Sequence, residues 1–286
     1  MGSQGTATER GLDGVRVLVV GSSSGLGRSI GTGVARQGAR VAFAARRVER
    51  VREAAAEAGG GAVGIACDVR DPIDCERVVA DAVAALGGID ALVWCAGVGP
   101  LVPLADTDAT VWQRVLETNL VGASLVTRAC LPHLRDSGGR AVYLSSVSAS
   151  VTAPWPGLGA YAVSKAALDK LTEAWSAEHP DVGFTRLVMG DSAGGAGPEA
   201  TGFADGWDRE LAGEYLTRWF ESGNVTGHLV PVEEIVAVVA SLLRSRVHLP
   251  SIVVQPRSAA PRPTARAVPE EPLGTTHDGP IVPEED

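Results

Sequence analysis

Long apolar runs are missing from this 286-residue chain: it has no stretch of about 18 consecutive apolar residues, so nothing in it reads as a membrane span. Lysine is nearly missing too; the 25 basic residues include only Lys165 and Lys170. With a formal net charge of -9, most of the surface would repel phosphate backbones and anionic lipid, which argues against nucleic-acid and membrane partners. There are four cysteines, Cys67, Cys75, Cys95 and Cys130, and none has a CxxC neighbour. That excludes the usual zinc spacing and points to reduced, buried thiols in a cytoplasmic setting. The five histidines are scattered without metal-ligand spacing, so no metal site is expected. The first residues, MGSQGTATERGLDG, lack the basic-then-apolar order of a secretory signal.

What is present is ample core material, 45% hydrophobic residues, arranged in a regular alternation. Short β-branched runs (15–20, 40–44, 63–67, 90–94, 140–145, 183–189, 251–255) alternate with helical patterns (28–37, 48–58, 73–86, 108–130, 160–178, 231–244). Such alternation predicts an α/β fold: a Rossmann-type, doubly wound parallel sheet in one three-layer α/β/α domain over residues 14–255. Residues 1–13 read as a flexible leader. Residues 256–286, rich in Pro and acidic residues, read as a disordered tail. Residues 190–230 break the rhythm and read as a lid, with Trp207, Leu211, Tyr215 and Trp219 at four-residue steps on one face.

The first strand runs into Gly21-Ser22-Ser23-Ser24-Gly25-Leu26-Gly27, which opens a helix. Glycines let backbone approach a pyrophosphate closely, and the helix N-terminus attracts its charge. Here the chain resembles the short-chain dehydrogenase/reductase superfamily, whose usual form is Thr-Gly-x-x-x-Gly-x-Gly; Val20 stands where that threonine would be. The resemblance spans roughly residues 14–255 and implies a nicotinamide dinucleotide cofactor. The second strand ends in Arg46-Arg47, where NAD-preferring sites place an acid for the ribose 2′-hydroxyl. An arginine there would bond a 2′-phosphate, so NADP(H) is expected, with Arg46 as the main contact and Arg47 or Arg28 assisting; NAD(H) is the alternative. Asp68-Val69 resembles the family's adenine-binding pair. Ala96 and Gly97 resemble the segment that passes the adenosine ribose.

Tyr161 and Lys165 are four apart on an expected helix and so share a face. A nearby ammonium favours phenolate, which would lower the Tyr161 pKa toward neutrality and suit it to general acid/base work on a carbonyl or hydroxyl oxygen. A serine at the end of the strand 140–145 can hydrogen-bond that oxygen. Ser146 fits the strand end, whereas Ser148 has the family's spacing of thirteen residues before Tyr161; Ser146 is preferred and Ser148 held in reserve. The resemblance adds three roles: Lys165 holds the nicotinamide ribose, Asn119 supports a proton relay through its backbone, and Gly190 touches the nicotinamide carboxamide.

Two stretches depart from the family pattern. Trp94-Cys95-Ala96-Gly97 replaces Asn-Asn-Ala-Gly, which removes asparagine bonds that brace the sheet, and Met189-Gly190-Asp191-Ser192 replaces a Pro-Gly turn. The favoured reading is an NADP(H)-dependent oxidoreductase acting on a small-molecule alcohol or ketone. The lid aromatics, together with Trp155, hint at an apolar or cyclic substrate. A non-catalytic NADP(H)-binding sensor or scaffold on the same fold is the rival. The resemblance also implies a homodimer or homotetramer formed through the helices at 108–130 and 160–178.

Overall fold

The computed structural model describes residues 11–194 and 201–257. Seven parallel strands form its sheet: β1 (Arg16–Val20), β2 (Arg40–Ala45), β3 (Val63–Ala66), β4 (Ala91–Trp94), β5 (Arg140–Ser146), β6 (Gly183–Met189) and β7 (Ser251–Val254). They lie in the order β3-β2-β1-β4-β5-β6-β7. The winding reverses between β1 and β4, and at such a switch point the carboxyl ends of the strands leave a crevice.

The helices cover both faces. They are α1 (Gly25–Ala35), α2 (Val48–Ala58), α3 (Pro72–Leu86), α4 (Ala109–Leu116), α5 (Gly122–Ser137), α6 (Val147–Ser150), α7 (Gly159–Glu178), α8 (Arg209–Glu221) and α9 (Val232–Arg244). Successive strand residues point to opposite faces. Val17, Val19 and Phe43 therefore pack with Ile30 of α1, Val51 of α2 and Val239 of α9. Leu18, Val20, Leu92, Trp94 and Tyr143 pack with Val78 of α3, Val126 of α5 and Leu168 of α7. Each such fully buried aliphatic side chain contributes about 1.5–3 kcal/mol relative to exposure. Local signals agree with the packing. Asp71 caps α3 by accepting from the Ile73 amide at 2.8 Å, Pro72 opens the helix, and Gly87 ends it in the left-handed region.

Three expectations are corrected. The segment 108–130 is not one uniform helix: α4 and α5 are joined by a wider π-helical turn, Glu117–Val121, and α5 runs on to Ser137. Leu12, assigned by sequence to the leader, is fully buried in the core, and its amide donates to Gln37 O. Trp207 precedes α8 rather than lying on it, because Asp208 caps that helix by accepting from the Leu211 amide. Residues 1–10 of the leader and nearly all of the tail fall outside the described residues. Among the described residues, no helix is long and apolar enough to cross a membrane.

Candidate active site

The glycine-rich turn is held by contacts that spacing alone does not reveal. Gly21 has φ +86°, and a Cβ there would lie 2.4 Å from the Ala96 amide nitrogen. Only glycine lets the β1 exit run this close to the β4 exit. A Cβ on Gly27 would likewise stand 2.3 Å from Gly21 O. Ser22, which carried no role in the motif, donates through Oγ to Val19 O and accepts from the Ala44 amide, both at 2.9 Å. It stitches the turn to β2. Ser23, Ser24 and Gly25 lead into α1, and a Cβ on Gly25 would stand 3.3 Å from Thr201 Cα. Such a glycine cradle fits the pyrophosphate of a dinucleotide.

At the end of β2, Arg47 folds back over the turn. Its Nε and Nη2 donate to Ser23 Oγ at 3.1 and 2.9 Å, and Nη2 also donates to Ser24 Oγ at 2.7 Å. Arg46 is exposed. Arg47, not Arg46, is thus the guanidinium seated on the cradle. Arg28 is committed elsewhere: it is buried, and its Nη2 pairs with Glu57 at 2.9 Å. Asp68 accepts from Arg70 Nε and Nη2 at 3.1 and 2.7 Å, and this partner holds its carboxyl below the usual carboxylate range. Val69 is buried against α5 beside Gly122.

Asn119 sits in the π-helical turn with no exposed surface. Its Oδ1 accepts from the Val98 amide at 2.8 Å, and its Nδ2 donates to Val98 O and Ser164 Oγ, both at 2.9 Å. The carboxamide ties the β4 exit to α7 and so supplies bracing that the Trp94-Cys95 departure had removed. A Cβ on Gly97 would stand 3.5 Å from both Asn119 Oδ1 and Lys165 Nζ, so these three residues converge.

Lys165 is buried, donates to Leu144 O at 2.7 Å and places Nζ 5.8 Å from the centroid of the Tyr161 ring. The shared helical face is real, but the electrostatics differ from expectation. Burial pushes the Tyr161 phenol up to about 12, offset in part by hydrogen bonding from Ser146, and pushes the Lys165 ammonium down to about 8. Desolvation disfavours the charged form of each and is the largest cause of both shifts. Ser146 Oγ also lies 2.9 Å from Ser148 Oγ and accepts from the Ser148 amide. The two serines therefore form one pair, with Ser146 on the side of the phenol.

The lid closes on this floor. Phe203 meets Tyr161 edge to face at a centroid distance of 5.0 Å, and Trp207, Trp219, Trp155 and Tyr215 continue the cluster. Gly190 extends the β6–β7 pairing by donating to Val254 O at 2.8 Å, and Asp191 O and Ser192 are held against Val230. The structure thus brings Asn119, Ser146, Tyr161, Lys165 and Gly97 together, with Ala96 against Gly21 joining them to the turn that carries Arg47.

A family model described as short chain dehydrogenase matches residues 15–188. A short chain dehydrogenase of Pseudocercospora fijiensis is 39% identical over 186 residues, covering 62% of this chain and 59% of that protein. The 11-beta-hydroxysteroid dehydrogenase 1A of Arabidopsis thaliana is 39% identical over 191 residues, covering 65% and 54% respectively. The chain therefore spans less than two thirds of the length of these relatives. A solved short-chain type dehydrogenase/reductase from Mycobacterium marinum superposes with a TM-score of 0.73 at 28% identity, covering 85% of this chain and 95% of that one.

Proposed function

Since this chain belongs to the short-chain dehydrogenase family, we propose that it is an NADP(H)-dependent oxidoreductase that reduces the carbonyl of an apolar small molecule. The observation that carries this reading is the convergence of Tyr161, Ser146 and Lys165 under an apolar lid, beside a glycine cradle that side chains would fill. The cofactor, when bound, supplies the hydride.

The chain's own residues do the rest. Gly21, Ser23, Ser24, Gly25, Leu26 and Gly27 would hold the pyrophosphate, Asp68 and Val69 the adenine, Ala96 and Gly97 the adenosine ribose and Lys165 the ribose on the nicotinamide side, with Gly190 near the carboxamide. Arg47 supports a 2′-phosphate: it is a fork of donors already turned over the cradle, with no acidic residue at the end of β2. Tyr161 donates its phenolic proton to the substrate oxygen. A phenol pushed up to about 12 keeps that proton at neutral pH, so it is there to be given to a carbonyl oxygen. Ser146 Oγ, bonded on one side to Ser148, directs its hydrogen bond to the oxygen on which negative charge grows. Asn119 fixes the β4 exit against α7, so that Lys165 keeps its place. The lid excludes water.

A homodimer or homotetramer through α5 and α7 is supported by the apolar groove of Leu120, Val121, Leu125, Ala167, Leu171 and Ala174 between them. Light scattering of the purified chain reads that state directly.

The cofactor test compares NADPH with NADH in reduction of an apolar ketone. Arg47→Ala should raise the KM for NADPH about tenfold or more, the loss expected for a charge-assisted bond, and leave that for NADH unchanged. A preference for NADH that Arg47→Ala does not alter would remove the 2′-phosphate reading.

A further inference from the structure

Phe203 stands beside the reactive phenol. Its ring meets Tyr161 at 71° and meets Trp207, 5.6 Å away, at 71° as well. Its tip enters a notch at the β4 exit that exists only because residue 99 lacks a side chain. A Cβ on Gly99 would lie 2.3 Å from Phe203 Cζ and 3.2 Å from Tyr161 Cδ2. The space next to the phenol is thus already filled by a flat, apolar six-membered ring.

The surroundings are built for such a ring. Trp207 Nε1 donates to Gly99 O at 2.8 Å and Trp219 Nε1 donates to Pro156 O at 2.9 Å. With both indole N–H groups satisfied, the two rings present apolar surface within the cluster that also holds Trp155, Tyr161 and Phe203. These bonds also fix both tryptophans. Between the glycines at 202 and 206, the latter with φ +84°, Phe203 can leave the notch while Trp207 stays in place.

Phe203 lies against the edge of the Tyr161 ring, so the space it fills is space beside the phenol that a substituent on a bound carbonyl carbon could take. We propose that Phe203 is a displaceable plug that holds the place of the substrate's own ring, so that the site takes ketones with a planar aromatic ring next to the carbonyl and Phe203 sets the size of ring admitted. This rests on Tyr161 being the proton donor, as proposed above. An aryl group restores the edge contacts that Phe203 gives up. A short acyclic substituent leaves them unmade.

The test uses the full chain, Phe203→Ala and the milder Phe203→Leu, in two arms. In the first, kcat/KM is measured with NADPH for 2-acetylnaphthalene, acetophenone and 2-butanone. Phe203→Ala should raise the ratio of the value for the bicyclic ketone to that for 2-butanone about tenfold, since hydrophobic pocket contacts discriminate on this scale. Phe203→Leu should fall between wild type and Phe203→Ala. A loss in both variants that is greatest for the aryl ketones would make Phe203 a wall of the substrate site and overturn the proposal. The second arm needs no turnover. Toluene should bind Phe203→Ala, raising its Tm and quenching tryptophan fluorescence, and should leave wild type unchanged. If wild type reduces no ketone yet toluene binds only the variant, the reaction assignment fails and the plug stands. If toluene binds both proteins alike, or neither, the plug is overturned whatever the turnover.

Discussion

Replacing Gly21 with alanine tests the join between the cradle and the sheet. At φ +86° an L-residue sits in the left-handed region, at a cost of about 1–2 kcal/mol. The new methyl carbon would also stand 2.4 Å from the Ala96 nitrogen and 2.5 Å from its Cα. Those are backbone atoms, so no side-chain rotation relieves the overlap. The β1 and β4 exits must part, which strains the bonds from Gly21 N to Ala44 O and from Cys95 N to Val20 O, both 2.8 Å. Overpacking of this kind costs about 1–3 kcal/mol, for a total of about 2–5 kcal/mol. For a domain of this size that lowers Tm by roughly 5–20 °C. Gly14→Ala is the matched control: φ is +76°, yet nothing lies within 4 Å of the added carbon, so only the conformational cost of about 1–2 kcal/mol should appear. Urea unfolding followed by tryptophan fluorescence gives both values, and calorimetric titration gives the nucleotide affinity. The reasoning is refuted if Gly21→Ala is no less stable than Gly14→Ala, or if it binds nucleotide as wild type does.

Two further outcomes are expected. Ser146→Ala should lower kcat by about a hundredfold or more, the usual effect of removing a donor to a developing oxyanion, whereas Ser148→Ala should cost much less; equal losses in steady-state assays would contradict the assignment of Ser146 as the serine facing the substrate. Lys165 gives a pH signature. Its folded value of about 8 lies below the ordinary 10.5, so the penalty for burying the ammonium is complete below pH 8 and fades as pH rises to 10.5. Relative to Lys165→Met, wild type should gain up to about 3 kcal/mol of stability across that window in urea titrations. A constant difference would show that Lys165 is not desolvated.

Much of the fold was legible because parallel strands buried on both faces must be short apolar runs, as the β-branched VRVLVV and the smaller VAFAA are. Strand ends agreed to within one or two residues, since Gly and charged residues punctuate them. The Tyr161–Lys165 pairing followed from helical spacing, which carries over directly to three dimensions. Other features leave no local mark. The wide turn around Asn119 inserts one residue into an otherwise unbroken helical pattern, and its reason lies in the β4 exit, which Asn119 reaches from 21 positions away in sequence. Adjacent arginines cannot be told apart by composition; only the start of α2 turns Arg47 back onto Ser23. The direction of the Tyr161 shift was misjudged because spacing shows the helpful charge and hides the loss of water around it. The place of Phe203 beside the phenol depends on the missing side chain of Gly99, far away in sequence.

The central claim is that Tyr161 hands its proton to a substrate carbonyl while its neighbours hold the partners in place. Oxidation of NADPH by wild type and by Tyr161→Phe, with the same apolar ketone and with nucleotide affinity measured in parallel, tests it most directly. The account predicts that kcat falls by about a hundredfold or more, the scale of lost general acid catalysis, while NADPH binds with unchanged affinity. Turnover by Tyr161→Phe at the wild-type rate would contradict it.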